Sequence, residues 1–140
     1  MTKEMLNTQN PDSQKNYIVQ LLEELTIDYQ KTKQERKEIV TSLMFEDEEF
    51  TLLEEIELLT VDIRGYASQI KELNNIDNPR DAVIRLQNIR IFDIPTITRF
   101  YLRTDNKYEK TKAYLRMLDY LRLLLLEYLN LYLIAQSASV

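Results

Sequence analysis

The sequence predicts an all-α protein, and three observations carry that prediction. One glycine and three prolines in 140 residues leave few positions for the tight turns, bulges and glycine-rich loops on which sheets and phosphate cradles depend. Apolar residues recur at alternating spacings of four and three, the period of one helical face, and no stretch alternates long enough to build a sheet. A hydrophobic content of 44 % with 29 % charged residues is that of a chain able to bury a core at this length. The expected architecture is a long N-terminal antiparallel helical hairpin, about residues 13–74, followed by bundle helices over about 79–136. An apolar C-terminal helix organises the bundle. One domain spans 12–140 behind a flexible tail, residues 1–11.

The elements follow in chain order. Asp12 or Ser13 can cap a first helix running to about Met44, with a seam at Ile18, Leu22, Leu25, Tyr29, Thr32, Arg36, Ile39 and Leu43. The polar middle of that seam, Thr32 and Arg36, predicts good packing at both ends and poor packing at the centre. A second seam, Leu52, Ile56, Leu59, Ile63, Tyr66, Ile70 and Leu73, is out of phase with the first, so a turn is expected at 44–49. Asp47 or Thr51 can cap the restart, and Thr51 with Glu54 has capping-box spacing. Gly65 interrupts the second helix at a cost of about 1 kcal/mol relative to alanine.

Asn78-Pro79 is the sharpest boundary: an N-cap before a proline at the first helical position, with Asp81 in the first turn. The third helix is expected to run to about Ile91 and to bury Val83, Leu86 and Ile89. "FDIP" breaks it, and a short helix from Pro95 carries Ile97, Phe100 and Tyr101. Asn106, in capping-box spacing with Glu109, is expected to start a last helix that ends near Gln136.

That last helix contains "LRLLLLEYLNLYLIA", residues 121–135. It is not expected to span a membrane, because widening the window to 117–135 admits Asp119, Arg122, Glu127 and Asn130, and charges at mid-bilayer cost about 2.5–3.5 kcal/mol each. Apolar rows nearly surround it, so it must be covered nearly all round. Two coverings remain open: a central position within its own chain, or one face held by a partner. For the second, the expected interface residues are Leu118, Leu121, Leu124, Leu125, Tyr128, Leu131 and Tyr132.

The residue inventory narrows the chemistry. With no histidine and no cysteine, most general bases, nucleophiles and soft-metal ligands are missing. A single glycine excludes a glycine-rich phosphate loop. Glu54 and Glu57 sit three apart on one helical face, as a Mg²⁺ or Mn²⁺ site would need, but no second acidic pair follows, and a solvated acidic face is expected instead. No cofactor, metal or small-molecule substrate is expected.

Charge is uneven. Residues 1–79 hold 8 basic against 17 acidic side chains, and residues 80–122 hold 10 against 5. The two halves can neutralise each other within a bundle or between subunits. The basic segment offers Arg85, Arg90, Arg99, Arg103, Lys107, Lys110, Lys112 and Arg116, interleaved with Phe100, Tyr101, Tyr108 and Tyr114. Cations and stacked rings suit nucleic acid, but a pI of about 4.9 and the lack of a recognised motif weigh against it. Absent cysteine and a polar start without a signal-peptide core fit the cytoplasm. The expected function is a non-catalytic interaction or assembly protein, self-associating or part of a complex. A small helical subunit of a nucleic-acid-processing complex, touching phosphates through 85–116, is the alternative. A metal-dependent hydrolase stands third.

Overall fold

The first helix is not continuous. In the computed structural model, which describes residues 11–42 and 49–138, α1 spans Pro11–Lys31 and α2 spans Lys33–Thr41. Thr32 lies between them, and its side chain and neighbours explain the break. Its Oγ1 donates to the Tyr29 carbonyl at 2.7 Å, and its backbone N–H donates to the same oxygen at 3.1 Å. Arg36 then donates Nε to Thr32 Oγ1 and Nη2 to that carbonyl, with its guanidinium 4.1 Å from the Tyr29 ring centroid. The polar centre of the seam is therefore hydrogen-bonded, with Thr32 buried and Arg36 half-buried, not loosely packed as the residue types suggest. A hydroxyl competing for helical carbonyls is the local cause.

The next helix, α3, spans Glu49–Leu73. Since it starts ahead of Thr51, Thr51 is inside the helix and is not its cap. The turn expected at 44–49, with Asp47, and the tail expected over 1–11 lie outside the described residues, apart from Glu49 and Pro11, which are helical. Thr26 Oγ1 accepts a hydrogen bond from Arg64, while Lys37 and Val40 share a groove with Leu53 and Glu54. Chain direction along α1 and α2 is therefore opposite to that along α3. Asn74 closes α3 with φ 62°, a left-handed position that asparagine tolerates better than most residues.

Asn78 caps α4, Pro79–Asn88, accepting from the Asp81 N–H at 3.4 Å. This helix ends three residues earlier than expected, and Ile91–Asp93 form a 3₁₀ turn before α5, Pro95–Arg103. The last helix, α6, spans Glu109–Ala138. Asn106 is not its cap: residues 104–107 make a turn closed by the Lys107 N–H on the Thr104 carbonyl at 2.6 Å. Among the described residues there is no strand.

Tyr114, Leu115, Leu118, Leu121, Leu124, Leu125, Tyr128 and Leu129 of α6 are buried in one apolar core with Ile18, Leu25, Ile56, Ile63, Leu86, Ile97 and Phe100 from the surrounding helices. α6 packs on α1, α2, α3 and α4. It is the central helix, which is why its sequence is apolar nearly all round. No described helix is long and apolar enough to cross a membrane.

Candidate functional site

The proposed interface row of α6 is mostly inside the molecule. Leu118, Leu121, Leu124, Leu125 and Tyr128 are buried by the chain's own helices, and Leu131 and Tyr132 are half-buried. Tyr132 Oη accepts from Asn75 Nδ2 at 2.9 Å, and Tyr128 Oη donates to Asn75 Oδ1 at 3.3 Å. These two tyrosines hold the α3–α4 loop. Burial raises the Tyr128 pKa, with Tyr132 and Asp12 adding to the shift.

The basic segment divides into separate tasks. Arg85 pairs with Asp62 of α3 at 3.5 Å and Arg90 with Asp93 at 3.9 Å. Lys112 is 4 % exposed. Its Nζ donates to the Thr104 and Asp105 carbonyls at 3.2 and 3.0 Å and lies 5.8 and 5.6 Å from the Phe100 and Tyr101 ring centroids. It closes the C-terminal end of α5, where exposed carbonyls carry partial negative charge, and cannot reach a phosphate from there. Arg99 is half-buried, whereas Arg103, Lys107, Lys110 and Arg116 are exposed. The rings are not laid open for bases. Phe100 and Tyr114 are buried, and Tyr108 stacks on Phe100 at 5.8 Å and 28°. Tyr101 donates Oη to the Lys112 carbonyl at 3.0 Å. Burial raises its pKa, against the opposing influence of the adjacent Arg116 guanidinium.

Two further caps are invisible in local sequence. Glu35 of α2 accepts at its carboxylate from the N–H groups of Lys110 and Thr111, at 3.1 and 2.8 Å, and from Thr111 Oγ1 at 2.8 Å. It caps the first turn of α6 across the fold. Arg122 of α6 donates Nη1 to the Leu86 carbonyl and Nε to Asp119, both at 2.9 Å. It thereby serves the C-terminal end of α4.

One surface groove brings together charged side chains from α2 and α3. Tyr29, Lys33, Arg36, Lys37 and Val40 form one wall and Leu53, Glu54 and Glu57 the other, enclosing about 380 Å³. Lys33, Lys37, Glu54 and Glu57 are all exposed. Among the described residues, no ion pair crosses the groove and no group of three or more acidic residues could hold a metal ion. Glu54 and Glu57 thus face a cationic wall. Their three-residue spacing was legible in the sequence; Lys33 and Lys37 of that wall, 17 to 24 residues away along the chain, were not.

Beside the groove, Thr60 Oγ1 lies 3.1 Å from Tyr114 Oη and donates to the Ile56 carbonyl at 2.7 Å. Burial raises the Tyr114 pKa, while the Thr60 hydrogen bond and nearby Arg64 oppose the rise. This polar pair is tied within the core and does not open onto the groove walls named above. No protein-family model matches the sequence, and no curated protein or solved structure is detectably similar to it.

Proposed function

We propose that this chain is a non-catalytic helical assembly protein, acting in the cytoplasm, that associates with itself or takes a place in a larger protein complex. The observation that carries this reading is on α3. Leu58 and Val61 lie one turn apart on its outer face, 61 % and 63 % exposed, beside the groove with its exposed lysines and glutamates. Single exposed aliphatic residues need no explanation, but neighbouring ones on a long helix, rimmed by charge, favour a protein contact. The inventory supports the same reading, since it lacks histidine and cysteine. Sedimentation velocity over a concentration series tests it: a shift from monomer to a defined oligomer is expected.

A second reading keeps one supporting observation. Arg103, Lys107 and Lys110 are exposed where α5 gives way to α6, a placement that suits a subunit touching nucleic-acid phosphates. Binding to labelled DNA and RNA over a salt series separates the two. Phosphate contact releases counterions, so affinity would fall steeply as salt rises.

A further inference from the structure

The groove between α1/α2 and α3 has a charge pattern that complements itself. Lys33 and Lys37 stand on one wall and Glu57 and Glu54 on the other, in opposite chain directions. Lys33 therefore shares a level with Glu57, and Lys37 with Glu54. A two-fold axis running along the groove, parallel to the helices, leaves every side chain at its own level and exchanges the walls. The lysine wall of one copy then faces the glutamate wall of the other. An axis across the helices would set lysine on lysine and glutamate on glutamate.

We propose that this face binds a second copy of the chain about such an axis, so that Lys33 and Lys37 of each copy meet Glu57 and Glu54 of the other. The proposal rests on the self-association reading above and names its surface. Symmetric dimers use one self-complementary patch on both subunits, and this patch meets that condition in charge. It also offers apolar contact: Val40 is partly open on one wall, Leu53 is half-buried on the other, and Val61 stands one helical turn beyond Glu57. Within one chain the same charges are solvated. Between copies, apolar contact excludes water around them, which strengthens each pair. A different protein as occupant would need no such match between the two walls.

The test is a charge swap on the full-length chain, read by sedimentation equilibrium, with circular dichroism confirming that each variant is folded. All four positions are exposed, so both double variants keep the core intact. Lys33→Glu with Lys37→Glu makes both walls acidic, and Glu54→Lys with Glu57→Lys makes both basic. Each variant alone should dimerise about tenfold or more weakly than wild type, because four facing pairs turn from attractive to repulsive. Mixed one to one, the two variants should form a heterodimer near wild-type affinity, since every facing pair is again of opposite sign. Raising salt should weaken the wild-type dimer. A wild type that stays monomeric at high micromolar concentration overturns this proposal together with the self-association reading. If the wild type dimerises while the variants do so equally well, or if their mixture shows no recovery, the face is wrong and self-association stands on another surface.

Discussion

Removing the Glu35 carboxylate should destabilise the protein at a point where no core residue changes. Glu35 accepts three hydrogen bonds from the first turn of α6, at 3.1, 2.8 and 2.8 Å. In Glu35→Ala the Lys110 N–H can turn to water, because it lies at the exposed start of the helix. Thr111 cannot: it is 0 % exposed, so its N–H and hydroxyl lose their acceptor inside the protein. A buried donor left without a partner costs about 1–3 kcal/mol, and loss of an N-terminal cap costs about 0.5–2 kcal/mol. These two descriptions overlap, and alanine recovers a few tenths of a kcal/mol in helix propensity. The net expectation is about 2–3 kcal/mol, or roughly 5–10 °C in Tm for a chain of this size. Glu35→Gln keeps one acceptor oxygen and should lose about half as much. Glu38→Ala, on the same helix with an exposed side chain, is the control and should change stability by less than about 0.5 kcal/mol. Urea unfolding followed at 222 nm measures all three. A Glu35→Ala protein within about 0.5 kcal/mol of wild type would refute the capping role.

Three other perturbations have defined outcomes. Gly65→Ala meets nothing within 4 Å of the added Cβ and should raise stability by about 0.5–1 kcal/mol through helix propensity alone; a loss in thermal unfolding would show that the backbone there is approached closely. Leu124→Lys places an ammonium in the core between α6 and its neighbours, and should cost about 3–5 kcal/mol. An unchanged Tm would mean that Leu124 faces solvent. The raised pKa values of Tyr101, Tyr114 and Tyr128 make the folded state hold these protons more tightly than the unfolded one, whose tyrosines titrate near pH 10. Their contribution is fully present below about pH 10 and is lost as pH rises through the folded values. Urea midpoints should be level from pH 8 to 9.5 and fall above about pH 10, with tyrosinate absorbance at 295 nm jumping on unfolding.

Local spacing along the chain encodes where its helices form and which of their faces are apolar. The helical seams, the Asn78-Pro79 start of α4, the break at "FDIP" and the need to cover α6 on nearly every side follow from periodicity and backbone chemistry, which act over a few residues. Which of two coverings α6 receives follows only from how the helices pack. Leu118, Leu121 and Leu125 are as apolar beneath a partner as beneath α1 and α3, so composition cannot tell them apart. Tertiary contact likewise decided the fate of charged residues. Glu35, Lys112 and Arg122 resemble surface residues in the sequence, yet each closes a helix end that is distant along the chain or belongs to a neighbouring element. Helix ends expose unpaired N–H and C=O groups wherever the fold places them, and a side chain from any element can satisfy them. The break at Thr32 stands between the two cases: its residues, Tyr29, Thr32 and Arg36, lie within about two turns of each other, but only their hydrogen bonds show that they end a helix.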